Sequence, residues 1–213
     1  MSDAKIPAKL GEGEIGWNFD EDLVTPSSAV DEEKIRRAVH MILEAVGEDP
    51  TREGLVDTPA RVARMYAEIF AGLRQNPSDV LATRFHVDHD EMVLVKDIPF
   101  YSLCEHHLLP FFGVAHVAYL PTSGEVTGLS KLARLVELVA RRPQVQERMT
   151  NQIVDALEQE LQAVGSFAML EAEHLCMSMR GIQKPGSRTV TVASRGIFKS
   201  NTVMRDELLR AIR

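Results

Sequence analysis

The chain has 213 residues, 45% of them hydrophobic, with a formal net charge of −7 at pH 7 and two cysteines. That length and apolar content suffice for one domain with a full core and an appended segment, while the acidic balance excludes a general nucleic-acid binder. A single cysteine pair argues against a disulfide-stapled secreted domain, no charged-then-apolar leader opens the chain, and no apolar run approaches the roughly 18 residues that span a bilayer, so a soluble cytoplasmic protein with no membrane partner is expected.

Residues 1 to about 30 mix Gly, Pro, Ser and acids without periodicity, the composition of a flexible tail. From Asp31 a helix is predicted, with Ile35, Ala38, Val39, Ile42, Leu43 and Val46 as a core stripe and Gly47 as its end. Thr58-Pro59 reads as N-cap and first-turn proline of a second helix, whose stripe is Val62, Met65, Tyr66, Ile69, Phe70 and Leu73. The period then changes. Met92 to Pro99 and Val114 to Leu120 suit strands, with the Cys104 motif in the connection between them. After a Thr122-Ser123-Gly124 turn come two more helices. One runs from Ser130 with stripe Leu132, Leu135, Val136 and Val139; the other follows Pro143 with stripe Val145, Met149, Ile153, Ala156, Leu157 and Val164, closed by Gly165. Ala168 to Arg180 and Thr189 to Arg195 are predicted extended, with Gly181, Pro185 and Gly186 turning between them, and Met204 to Ile212 forms a last helix. Charge divides along this order: residues 131–213 hold 13 Lys+Arg against 9 Asp+Glu, and residues 1–130 hold 11 against 22. The C-terminal part can therefore host an anionic ligand, although solvated helix charges would give the same count.

Cys104-Glu105-His106-His107 and His174-x-Cys176 carry the chemistry. Thiolate and imidazole suit a soft divalent ion such as zinc, and three protein ligands would leave a fourth position open for water. A closed structural site is the competing reading, with His106 or His174 as fourth ligand. If the segment from Ala168 is one strand, alternation puts His174, Cys176, Ser178 and Arg180 on one face and Glu173, Leu175, Met177 and Met179 on the other.

Cys104-Glu105-His106-His107-Leu108-Leu109-Pro110-Phe111-Phe112-Gly113, Gly128-Leu129-Ser130-Lys131, Arg141-Arg142-Pro143-Gln144-Val145-Gln146-Glu147-Arg148 and His174-x-Cys176 with Arg180-Gly181 resemble the zinc-dependent GTP cyclohydrolase I family. The resemblance covers residues 31–213, including Thr58-Pro59 with Arg61-Val62; one small departure is Val192, where a small polar residue would be expected. It implies conversion of GTP and water to 7,8-dihydroneopterin triphosphate and formate, the entry step of folate or tetrahydrobiopterin synthesis. It implies Zn2+ on Cys104, His107 and Cys176, with His106 and His174 moving protons. It gives Glu147 to the guanine N1–H and exocyclic amine, with Gln146 beside it, and Ser130, Lys131, Arg134, Arg180 and Arg61 to the triphosphate. The implied fold is α+β: a tunnelling fold whose antiparallel sheet has helices packed on one side. Residues 31–75 would form an N-terminal helical extension and 90–213 the catalytic core. Barrel closure would come from oligomerisation, as a homodecamer of two pentamers with sites between subunits. A sibling pterin or deazaguanine enzyme of that fold, and a non-catalytic zinc-stabilised binding module, are the rival readings.

Overall fold

The computed structural model describes residues 30–213, so the expected tail lies outside the described residues except for Val30. In chain order the elements are α1 (Glu32–Ala45), α2 (Thr58–Ile69), a 3-10 turn (Ala71–Arg74), α3 (Pro77–Leu81), β1 (Arg84–His86), β2 (Val93–Cys104), β3 (Pro110–Leu120) and β4 (Glu125–Thr127). There follow α4 (Leu129–Ala140), β5 (Pro143–Gln144), α5 (Gln146–Leu161), β6 (Gly165–His174), α6 (Leu175–Ser178), β7 (Arg188–Gly196), α7 (Ile197–Ser200) and α8 (Thr202–Ile212).

The N-terminal helices form where their ends are chemically marked. Asp31 caps α1 by accepting from the Lys34 N–H at 2.8 Å, and Glu32 and Glu33 complement the helix dipole in the first turn. Asp57, not Thr58, holds the cap position of α2; Thr58 is already helical and Pro59 occupies the first turn, where a missing N–H costs nothing. The expected core stripe of α1 is corrected here, because the helix buries no residue within this chain and leaves Met41, Ile42 and Val46 exposed.

A five-stranded sheet in the order β5-β2-β3-β6-β7 carries the rest of the molecule. Four strands are antiparallel neighbours, and the two-residue β5 lies parallel to the end of β2, pairing Leu103 with Pro143 and Cys104 with Gln144. Strand alternation sorts its two faces. Phe100, Phe111, Ala115, Val117, Ala168 and Leu170 meet Leu132, Leu135, Val136 and Val139 of α4 and Met149, Ile153 and Leu157 of α5 in the main core. Each large side chain fully buried there contributes about 1.5–3 kcal/mol. The opposite face, through Ala118 and Phe167, packs on Phe198 of α7 and on Leu208 and Ile212 of α8. The two long helices thus lie on one side as predicted, and the C-terminal pair covers part of the other.

Two boundaries differ from the sequence pattern for physical reasons. The strand predicted to run to Arg180 stops at His174, and Leu175–Ser178 turns into a helix. Its partner β3 begins at Pro110 and pairs Phe111 with His174, so no strand remains to extend the ladder. The row of His174, Cys176, Ser178 and Arg180 on one strand face therefore does not exist. Likewise α5 ends at Leu161 with Gln162 in the left-handed region (φ 48°), and Gly165 opens β6 instead of closing the helix. Gly113 is required by close approach: a Cβ there would stand 1.9 Å from the Glu171 carbonyl oxygen. Its absence lets β3 and β6 pair tightly next to the Phe111–His174 end.

Candidate metal centre and active site

The short connection from β2 to β3 presents two of the three candidate metal-ligating side chains, Cys104 and His107. Cys104, the last residue of β2, donates from its N–H to the Leu109 carbonyl at 2.9 Å and accepts at its own carbonyl from Leu108 N–H at 2.8 Å. Leu108 closes this turn in the left-handed region, at φ 52°. Cys104 is thereby buried at the edge of the main core, whereas His106 and His107 stand exposed in the turn. Cys176 arrives from the helical turn after β6, the strand that neighbours β3.

The ligating atoms of Cys104, His107 and Cys176 all lie within 4.8 Å of one another, the one such group of three among the described residues. Zinc held by sulfurs at roughly 2.3 Å and nitrogen at about 2.0 Å sets its donors roughly 3.3–3.8 Å apart, so modest closure of this triangle accommodates the ion. Burial first, and the neighbouring Cys104 second, push the Cys176 thiol above its ordinary pKa, with Arg180 pulling the other way. Two close sulfurs in a desolvated pocket favour a cation between them, which is the environment a divalent metal supplies.

His106 places Nδ1 3.8 Å from Cys104 Sγ. His174 is placed by two constraints. Its ring stacks parallel on Phe111 with centroids 4.6 Å apart, and its Nε2 lies 2.7 Å from Gln146 Oε1. The Gln146 amide nitrogen donates to the carbonyls of Leu170 (3.1 Å) and Thr189 (3.0 Å) and to Thr191 Oγ1 (3.1 Å). Carbonyl oxygens only accept, so the amide nitrogen must face them and Oε1 must accept from His174 Nε2–H. The His174 proton therefore sits on Nε2, leaving the Nδ1 lone pair free. Burial lowers the His174 pKa, partly offset by the Glu147 charge.

Around this cluster the other expected residues separate into groups. Arg180 reaches it, with Nη1 3.2 Å from His107 Nε2, although from the loop after α6 rather than from a strand. Glu147 is exposed in the first turn of α5, near enough for its charge to act on His174. Gln146 is 1% exposed with its amide wholly engaged, so it stands behind His174 and not in contact with solvent. Ser130, Lys131 and Arg134 lie along the first turns of α4, and Arg61 on α2 pairs with Asp57 at 3.3 Å. Among the described residues, no hydrogen bond or ion pair joins these four to the metal cluster.

The structure adds residues that the sequence reading had not singled out. Phe111 supplies the stacking surface for His174. Glu105, between Cys104 and His106, receives both prongs of the Arg148 guanidinium, Nη1 at 2.5 Å and Nη2 at 3.1 Å, and that pairing holds its carboxyl below the ordinary range. Their only sequence signal was membership of the quoted motifs, since a Glu and an Arg 43 residues apart carry no mark of pairing.

The sequence matches the GTP cyclohydrolase I family over residues 35–213. Curated relatives include GTP cyclohydrolase 1 of Carboxydothermus hydrogenoformans, 63% identical over 183 residues (86% of this chain, 95% of the relative). That of Halalkalibacterium halodurans is 62% identical over 186 residues, covering 87% and 99%, and that of a Geobacillus species is 61% identical over 184 residues, covering 86% and 98%. Among solved structures, the archaeosine synthase QueF-Like in the apo form aligns with 51% of this chain and 97% of its own, at TM-score 0.41 and 15% identity.

Proposed function

The chain belongs to the GTP cyclohydrolase I family, and on that premise we propose how its residues divide the conversion of GTP and water to 7,8-dihydroneopterin triphosphate and formate, the reaction it catalyses in the folate pathway. The observation that carries the assignment is the convergence of Cys104, His107 and Cys176 within 4.8 Å, with His106 against Cys104 Sγ and His174 two residues before Cys176. These three residues would hold zinc, and zinc when bound supplies a Lewis acid that activates water at neutral pH.

The protein's own groups do the rest. Glu147 accepts from guanine N1–H and the exocyclic amine, a pair of donors that adenine does not present in that arrangement. His174 keeps its Nε2 proton committed to Gln146 and exchanges protons through Nδ1, which the stacked Phe111 holds in orientation. His106 is the second proton carrier; its Nε2 lies 3.8 Å from the Glu105 carboxylate. Arg180 meets the substrate on the metal side, and Lys131, Arg134, Arg61 and the Ser130 hydroxyl bind the triphosphate.

The separation of those last four from the metal cluster supports a site completed by a second subunit. So does the sheet edge: β7 has no outer neighbour among the described residues and carries half-exposed Val190 and Val192. We infer closure of the sheets into a ring of subunits, a decamer of two pentamers, with the α1 apolar face covered in the assembly. No helix among the described residues is long and apolar enough to cross a membrane.

Formate release and dihydropterin absorbance from GTP, with ATP as control and a chelator followed by zinc, test the assignment. GTP-specific turnover that the chelator abolishes and zinc restores, with the circular dichroism spectrum unchanged throughout, is expected. Turnover unaffected by complete metal removal, or unfolding on chelation, would overturn the open catalytic site.

A further inference from the structure

The run from Pro143 to Arg148 touches both halves of the site. Its Gln144 carbonyl accepts from Glu105 N–H at 3.0 Å, Gln146 holds His174 at 2.7 Å, and Glu147 is left exposed between them. Arg148, next in sequence to Glu147, sends its guanidinium across to the metal turn, where Glu105 receives it through two bonds from separate nitrogens to separate oxygens.

We propose that Glu105 and Arg148 are a positioning pair that fixes the metal turn against the first turn of α5, so that the guanine acceptor Glu147 and the metal ligands Cys104 and His107 keep one register. This deepens the reading of Glu147 and the metal ligands given above and rests on it. Three features set the pair apart from an ordinary surface bridge, which contributes little. Both side chains are partly buried, Arg148 at 34% and Glu105 at 28% exposure. The fork geometry fixes orientation as well as distance. The carboxylate is flanked in sequence by Cys104 and His106, so its displacement moves a metal ligand and a proton carrier together.

The test is a double-mutant cycle on the full-length zinc enzyme: Arg148→Met, Glu105→Gln, the pair together, and Arg148→Lys, which keeps the charge but loses the fork. Five quantities are read: zinc affinity by competition with a chromophoric chelator, the Co2+ absorption spectrum, the GTP dissociation constant by calorimetry, and the KM and kcat for GTP. Each single variant is expected to weaken zinc about tenfold, in the range found when residues supporting metal ligands are removed, to shift the Co2+ bands, and to raise both the GTP dissociation constant and KM severalfold. The double variant should be no worse than the worse single one. Arg148→Lys should recover little. Additive losses, or a fall in thermal stability with zinc affinity, Co2+ spectrum and GTP binding unchanged, would overturn the proposal and leave a structural ion pair. Zinc and GTP binding are measured without turnover, so an inactive parent enzyme would refute the catalytic assignment while the cycle still decides the coupling.

Discussion

Gln146 shows how one buried side chain sets the chemistry of another. Its amide nitrogen answers three acceptors, two of them backbone carbonyls that cannot rearrange without breaking β6 and β7, so its oxygen is left with the single task of receiving His174 Nε2–H. Replacing it by Met keeps the volume and takes the amide away from the Leu170 and Thr189 carbonyls and from Thr191 Oγ1, which keeps its 2.6 Å contact with Thr150 Oγ1, at a cost of about 1–3 kcal/mol. It also releases His174 to rotate on Phe111 or to adopt the other tautomer. Gln146→Met is therefore expected to lower kcat by about 10²-fold, the lower range for loss of a general acid–base group, with zinc content unchanged. Proton–nitrogen NMR of the imidazole should show loss of the fixed Nε2–H form. Full retention of that signal with normal kcat would refute the positioning role. A buried Gln at the start of an amphipathic helix gives no hint of this in sequence, because its three partners come from two strands more than twenty residues away.

At the scale of elements, the stripes of α4 and α5 were legible because each repeats one period against one core, and β3 was legible as a short β-branched and aromatic run. What failed was local. The α6 turn has strand-like composition, yet its fate was decided by the end of β3 at Pro110, a tertiary fact absent from its own residues. The β2 bulge was equally hidden. Its register shifts between Val95 and Ile98, Asp97 takes φ 55°, and Asp97 N–H donates to Nδ1 of the buried His116 at 3.2 Å. An Nδ1 that accepts is unprotonated, and burial lowers this pKa below its ordinary 6.5, with Lys96 adding to the effect and Asp97 and Glu171 opposing it. The unfolded chain then binds more protons than the folded one between the two pKa values. Stability from this group is thus full above about pH 6.5 and declines as pH falls through it. His174 contributes with the same sign, so the two must be separated. The denaturant midpoint of the parent is expected to drop between pH 7.5 and 5.5 more than that of His116→Asn, whose side-chain oxygen can keep the Asp97 bond without titrating. Equal drops in the two proteins would exclude His116 as a source.

For the whole molecule, the argument turns on which groups one chain can bring together. A single subunit assembles the proposed metal ligands, both proposed proton carriers, Glu147 and Arg180, while Lys131 and Arg134 lie at the start of α4 with no bond to that cluster among the described residues. If a neighbouring subunit supplies those cations, two different defects can compensate in a mixed ring. Cys176→Ser removes a proposed metal ligand and Lys131→Ala a proposed phosphate ligand, so each homo-oligomer is expected to be nearly inactive. After joint unfolding and reassembly with zinc at equal proportions, a site that draws its metal ligands from one subunit and Lys131 from the next would be intact in about a quarter of cases, giving about a quarter of parent activity. If each site were built within one subunit, every site would carry one of the two defects, and mixed rings verified by mass would stay as inactive as the parents of the mixture. Assembly itself has a separate readout, since Val190→Lys on the open β7 edge should lower the mass in solution without preventing the subunit from binding zinc at Cys104, His107 and Cys176. Recovered activity in the mixture, lost when that edge substitution is added to both chains, would tie the missing cations to the neighbour across the sheet edge.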